Sequence, residues 1–272
     1  MGRWFAALLG LAAIVVVAAA FGARTGSVPA IRLGAPSDAA GLLAAVVARE
    51  AGPDRLALVG GVETFPVNDC CATVSQWAMS SESVDMALMC PDAAAALLEK
   101  DARFETAGPA LYNAEVLVSR PGVRAVSAGV AQGRDRQAAL IAQALGKDAV
   151  VDFMLPASLP YAYEKNVVDA VAVDFFTALL MRGDMASLAG ADGDNLSYVL
   201  VVKKSLRDSP EFPRIIEAFR AAANMLDAPD GLRRAALEHK NISLSENEVR
   251  LWRKMRIRFV SPTNTPTGSP GS

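Results

Sequence analysis

The sequence holds a single histidine, His239, in the run LRRAALEHK, far along the chain from each of its three cysteines. A lone imidazole so placed supplies neither a Ser-His-Asp nor a Cys-His relay, and it leaves histidine-based metal hydrolysis without ligands. Glycine-rich phosphate cradles are missing as well. Gly60-Gly61 does not complete G-x-G-x-x-G and no G-x-x-x-x-G-K-S/T run occurs, so dinucleotide and nucleotide cofactors lack their usual seat and no cofactor is expected. Charge of one sign is not in excess: 27 Lys and Arg against 29 Asp and Glu leave a net charge of -2. Such a balance gives no broad attraction for a phosphate backbone, which argues against a nucleic-acid partner. Carboxylates such as Glu63, Asp69 and Asp92 are available for acid–base work, yet no spacing pairs them. These absences argue against the common catalytic chemistries, and the expectation is a protein that is not an enzyme.

Apolar residues are plentiful, at 52% of 272 positions. That suffices for a sizeable core, either one domain or two intimately packed lobes, because single cores stop growing near about 250 to 300 residues. Trp4 to Ala23 is an unbroken apolar run with Arg3 before it and Arg24 after it. It is longer than the about 7 to 15 residues of most signal h-regions and close to the about 20 that span a bilayer. Residues 1–27 therefore read as a signal peptide or an N-terminal membrane anchor, with a buried core helix as the bland alternative. The remainder is placed on the periplasmic or extracellular side of the membrane. No cysteine follows the run closely, which disfavours a lipoprotein. The closing run SPTNTPTGSPGS, residues 261–272, has the composition of a disordered tail.

Between these ends, short β-like runs alternate with Ala- and Leu-rich helical runs, the pattern of α/β architecture with largely parallel sheets. Strands are predicted at Ala30–Leu33, Leu56–Val62 and Asp85–Met89. Each precedes a helix: Asp38–Glu50 with Ser37 as N-cap, Thr73–Met79, and Asp92–Lys100 with Pro91 in its first turn. A crossing segment, Phe104 to Arg120, precedes a second round. That round has strand Val126–Ala131 and helix Asp135–Leu145, strand Ala149–Met154 and a helical run at Tyr161–Asn166, then strand Ala170–Val173 and helix Phe175–Met181. A long apolar strand, Ser197–Lys203, and helices Pro210–Leu226, Asp230–His239 and Glu246–Met255 close the pattern.

In their order, IRLGAPSDAAGLL, SVDMALMCPDAAAALL, AGPALYNAEVLVSR, VSAGVAQGRDRQAALIAQAL and VVDAVAVDFFTALL resemble the type II periplasmic (extracytoplasmic) solute-binding proteins of ABC transporters. The resemblance is strongest to the sulfonate, nitrate and thiamine-precursor binding group, and it covers Ala30 to about Arg258. It implies an α/β fold of two lobes, each a mainly parallel sheet flanked by helices, with a hinged cleft between them. Residues 28–112 and 195–260 would form one lobe and 113–194 the other, with hinges near Tyr112 to Val116 and Ala191 to Asn195. The implied role is capture of a small polar or anionic ligand for an ABC-type permease and its ATPase, by a monomer that touches the membrane only through its N-terminal segment. Some relatives of this fold instead turn a bound precursor into product.

In open parallel sheets ligands sit at the carboxyl ends of strands, where helix N-termini converge. That rule nominates Ser37 and Asp38, Cys90 and Asp92, Gln132 and Arg134, and Asp174 and Phe175, each of which can equally be a helix cap, a helix start or core. Tyr112 and Asn113 are nominated from the crossing segment, Asn68, Asp69, Cys70 and Cys71 from the loop after the second strand, Arg136 beside Arg134 as a guanidinium for a carboxylate or sulfonate or else a solvated helix start, and Tyr161 and Tyr163 as further wall candidates. The fold would bring the three thiols to one edge of the cleft. Three readings of them stand side by side. Cys90 forms a disulfide with Cys70 or Cys71, as an oxidising compartment allows; the cluster is a soft-metal or redox thiol site, which would make the protein a metal chaperone or sensor; or the cysteines fill a core as small apolar residues.

Overall fold

The computed structural model describes residues 30–52, 60–67, 73–146, 148–189 and 193–262. The first sheet takes β1 (Ile31–Ala35), β2 (Val62–Pro66), β3 (Met86–Met89), β4 (Phe104–Tyr112), β10 (Leu196–Lys203) and β11 (Arg258–Phe259), in the order β11-β4-β10-β3-β1-β2. The second takes β5 (Glu115–Ser119), β6 (Ser127–Ala131), β7 (Val150–Met154), β8 (Ala170–Asp174) and β9 (Asp184–Ser187), in the order β7-β6-β8-β5-β9. Each sheet has a parallel part, β2-β1-β3 in one and β7-β6-β8 in the other. Antiparallel strands complete both: β10 runs against β3 and β4, and β5 against β8 and β9. The sheets are therefore mixed, with a return strand on the far side of each parallel part.

Helices α1 (Ala39–Glu50), α2 (Thr73–Ser80) and α3 (Pro91–Lys100) follow the first three strands. In the second round come α4 (Asp135–Leu145), α5 (Leu159–Glu164) and the one-turn α6 (Phe175–Ala178). After β10 come α7 (Lys204–Arg207), α8 (Phe212–Asp227), α9 (Pro229–Lys240) and α10 (Glu246–Lys254). Local chemistry explains several starts. Pro91 opens α3, where its missing N–H costs nothing, and Ser245 with Glu248 forms a capping box on α10.

Three expectations are corrected. The second strand is Val62–Pro66, which shares only Val62 with the expected Leu56–Val62: Gly60 and Gly61 are not strand, and residues 53–59 lie outside the described ones. As an edge strand with four exposed positions, β2 does not need the apolar run that the sequence pattern favours. The N-cap of α1 is Asp38, whose Oδ1 accepts the Ala40 N–H at 2.7 Å, whereas Ser37 is exposed one residue earlier. The helix after Asp174 is a single turn, because the chain is back in strand at Asp184. Among the described residues no helix is long and apolar enough to cross a membrane; the run from Trp4 to Ala23 lies outside them.

The main core joins α1, α8 and α9 to both sheets. Trp252 of α10 meets Phe175 edge-on at 5.1 Å and stacks on Phe259 at 5.5 Å, so one indole packs against the end of β8 and against β11. The chain passes between sheets at Asn113-Ala114 and returns before Leu196. Asn113 holds the two passages together. Its Nδ2 donates to Asp194 Oδ1 at 3.0 Å and to the Arg256 carbonyl at 2.9 Å, its Oδ1 accepts the Asn195 N–H at 2.8 Å, and its own N–H donates to the Asn195 carbonyl. It is buried, with φ at 56°, a conformation asparagine tolerates better than most residues. We expect Asn113→Ala to lower stability by about 2 to 3 kcal/mol and Asn113→Gly by about 1 kcal/mol less, since glycine relieves the backbone but restores no side-chain bond. Urea unfolding of the two variants separates these contributions.

Candidate functional site

Both sheets point strand ends at one cavity of about 370 Å³. Pro36, Ser37 and Asp38 reach it from the end of β1, Ala131 and Arg134 from the end of β6, Val173 and Asp174 from the end of β8, and Tyr198 from β10. Lys240 closes it from the end of α9. The turn at Pro36 folds tightly onto α1: a Cβ at Gly41 would stand 2.2 Å from the Pro36 carbonyl oxygen, so that close approach requires glycine. Leu159, Phe176 and Leu180 supply apolar wall.

Hydrogen bonds link the two sheets around the cavity. Asp174, on β8 of the second sheet, accepts the Ala39 N–H of α1 at 3.1 Å through Oδ2 and the Phe176 N–H at 2.9 Å through Oδ1. One carboxylate thus caps a helix on each side. The Tyr198 hydroxyl donates to Asp38 Oδ2 and accepts from Arg134 Nη2 at 3.0 Å. Arg134 Nη1 pairs with Glu115, whose other oxygen accepts the Ser197 hydroxyl, and Ser197 Oγ in turn accepts the Ala114 N–H at 2.9 Å. Arg134, Glu115, Ser197 and Tyr198 are all buried. Gln137 is buried too, at 5% exposure, and it lines the cavity with an Oε1 that finds no donor among the described residues.

The electrostatics follow from burial. Asp174 is open only partly, toward the cavity. Desolvation and then the charge of Asp38 push its carboxyl up to about 8, against the opposing pull of the Ala39 and Phe176 N–H groups and of Lys240. Burial lowers the Lys240 ammonium, while Asp38 and Asp174 raise it; its Nζ donates to the Ser37 carbonyl at 2.6 Å.

Of the residues nominated from sequence, Ser37, Asp38, Arg134 and Asp174 line this cavity. Cys90 and Asp92 lie at a narrow neighbouring gap with Arg136, Gln137 and Ser197. Burial raises the Asp92 carboxyl, and the Arg136 N–H and the charges of Arg136 and Arg134 pull it back. Cys90 caps α3, its Sγ accepting the Ala93 N–H at 3.4 Å within an apolar cluster. Asn68, Asp69, Cys70 and Cys71 lie outside the described residues. Among the described residues no three His, Cys, Asp or Glu side chains are grouped to hold a metal.

Four nominees stand elsewhere. Asn113 is committed to the crossing, and the Tyr112 ring faces the Arg258 guanidinium at 5.1 Å. Gln132 is exposed beyond β6, and Phe175 is core. Of the further wall candidates, Tyr161 is 64% exposed and Tyr163 is buried with its hydroxyl donating to the Arg182 carbonyl. Glu115, Gln137, Tyr198 and Lys240 were not nominated. A lone acid opening the apolar run EVLVS was a usable signal for Glu115. Lys240, arriving from a helix some two hundred residues beyond Ser37, had none.

Two mixed sheets joined by paired crossings, with a polar cleft at their strand ends, make the type II periplasmic-binding-protein fold. Solved structures with this fold include the zinc-bound ligand-binding component of an ABC-type import system from Staphylococcus aureus, at TM-score 0.64 and 13% identity over 88% of each chain. The periplasmic aliphatic sulphonate binding protein SsuA from Escherichia coli superposes at TM-score 0.62 with 14% identity, over 89% of this chain and 87% of its own. A nutrient-binding protein from Burkholderia cenocepacia bound to methionine does so at 0.55 with 15% identity, over 78% of this chain and 98% of its own. No protein-family model matches the sequence, and no curated protein matches it significantly.

Proposed function

We propose that this is an extracytoplasmic solute-binding protein, not an enzyme, that captures a small polar ligand in the cleft and presents it to an ABC-type permease and ATPase. The observation that carries this reading is the cavity itself: about 370 Å³, walled by strand ends from both sheets and bridged by Asp174 on Ala39 and Arg134 on Tyr198. Residues 28–112 with 195–260, and 113–194, act as lobes that move about the passages at Asn113 and Asn195, and the bridged arrangement is the closed form. Closure is what the permease reads. Residues 1–27 serve as export signal or anchor, and the protein works as a monomer. The similarity to import-system binding components supports this assignment.

Thermal-shift screening against amines, amino acids, sulfonates, other anions and pyrimidines tests it. A ligand that binds only the folded state at a hundred times its Kd should add about 2.7 kcal/mol of stability. One chemical class is expected to stabilise the chain. Stabilisation by none of them counts against the reading.

A further inference from the structure

We propose that the ligand bears a positively charged, ammonium-type group on a compact apolar body, and that Asp174 and Gln137 receive that group. The inference rests on the binding-protein reading above and names the ligand class of the same cleft.

Most of the donors that an anion would need are already engaged by the protein's own acceptors. The Ala39 and Phe176 N–H groups go to Asp174 and the Ala40 N–H goes to Asp38. The Arg134 guanidinium serves Glu115 and Tyr198, and Lys240 Nζ gives one of its three N–H groups to the Ser37 carbonyl. Acceptors are in surplus instead. Each Asp174 oxygen takes one N–H and, once ionised, has a second lone pair to offer, and the buried Gln137 Oε1 has no donor among the described residues. With Asp174 protonated the charges of the described lining residues balance, Asp38 and Glu115 against Arg134 and Lys240. An entering cation that displaces the Asp174 proton keeps that balance, whereas an entering anion leaves one uncompensated negative charge, at low dielectric where the difference is felt. The Phe176 ring already carries the Lys240 ammonium 6.0 Å from its centroid, and with Leu159, Val173 and Leu180 it offers an aromatic and aliphatic wall for the rest of the molecule.

With its carboxyl raised to about 8, Asp174 is largely protonated in the empty cleft at neutral pH. Cation binding then gives an ammonium–carboxylate pair and releases the Asp174 proton to solvent. Asp38, Lys240 and the two capping N–H groups are the neighbours that set this titration.

Isothermal titration of the full chain with matched compounds decides the matter: phenethylamine, 2-phenylethanol and 3-phenylpropanoate, then isoamylamine, isoamyl alcohol, isovalerate and 3-methylbutanesulfonate. The amines are expected to bind tightest. At pH 7 they should release close to one proton, read from the dependence of the heat on buffer ionisation. Asp174→Asn should weaken amine binding roughly tenfold or more while leaving alcohol binding within a few-fold, because a charge-assisted bond is lost. If a carboxylate or the sulfonate binds tightest, or an alcohol matches its amine, the ligand-class inference falls and the binding-protein reading stands. If no compound of either set binds at millimolar concentration, both fall.

Discussion

Replacing Arg134 by methionine should lower stability by about 3 to 5 kcal/mol, because the substitution leaves the Glu115 carboxylate buried without a countercharge. Glu115 is 6% exposed and Arg134 8%, so solvent cannot take over the role of the guanidinium. Ser197 would still donate to Glu115, and Tyr198 would still donate to Asp38. The loss is therefore dominated by the stranded charge and not by the number of bonds removed. The double variant Arg134→Met with Glu115→Gln is expected to recover at least half of it, as neutral replacements of a buried pair usually do. Arg134→Lys should fall between wild type and methionine, since a point-like ammonium cannot serve both Glu115 and Tyr198 as a planar fork does. Urea unfolding checks all three, with a lowered midpoint at unchanged m. The position matters for function because Arg134 belongs to the second-sheet side and Tyr198 to the first. If Arg134→Met costs less than about 1 kcal/mol, the range of a surface pair, the bridge is not populated in the free protein. Its energy would then reappear as weakened ligand binding.

Much of this architecture was legible because local and tertiary signals agreed. Asp135–Leu145 is helical over the predicted bounds, where the amphipathic run RDRQAALIAQAL follows Gly133, whose φ of 73° suits the turn that launches α4. The strand near Ser197–Lys203 announced itself by a continuous apolar run, as expected of a strand buried on both faces, and extends one residue further to Leu196. Of the strands that escaped, β4 and β5 lie inside their sheets and were read only as a crossing segment, and the other two, β9 and β11, are edges. The strand β9 alternates between exposed and half-buried residues, and β11 has two residues, so neither needs an apolar pattern. The site was legible where it lies on strand ends, at Ser37, Asp38, Arg134 and Asp174. It was not legible where tertiary packing imports a residue: Lys240 and Tyr198 become neighbours of Asp38 through the return of the chain. Asn113 shows the opposite failure. Its place on the crossing was readable, but its amide is used up by Asp194, Asn195 and Arg256, which no spacing foretells.

The pH dependence of stability should change shape in Asp174→Asn. An aspartate unfolds to a pKa of about 3.9, whereas in the folded protein this carboxyl is raised to about 8 by burial and by Asp38. Between those values the native state binds more protons than the unfolded chain. The contribution of Asp174 therefore declines as pH rises through the window, at no more than about 1.4 kcal/mol per pH unit. Asp85, Asp169, Asp194 and Glu248 work in the opposite sense. Hydrogen bonds and neighbouring cations hold them below the usual carboxylate range, so their contribution is present above it and is lost as pH falls. The wild-type profile is thus squeezed from both sides, with its maximum on the acid side of neutrality. Asparagine cannot ionise and removes the falling limb. It also turns an amide NH₂ toward the Ala39 or Phe176 N–H, at a cost of about 1 to 3 kcal/mol for the unmade bond. The two profiles should cross: the variant is less stable near pH 5 and more stable near pH 9. A difference between them that does not vary with pH would mean that Asp174 is already ionised in the folded protein at neutral pH, with Lys240 close enough to hold its charge.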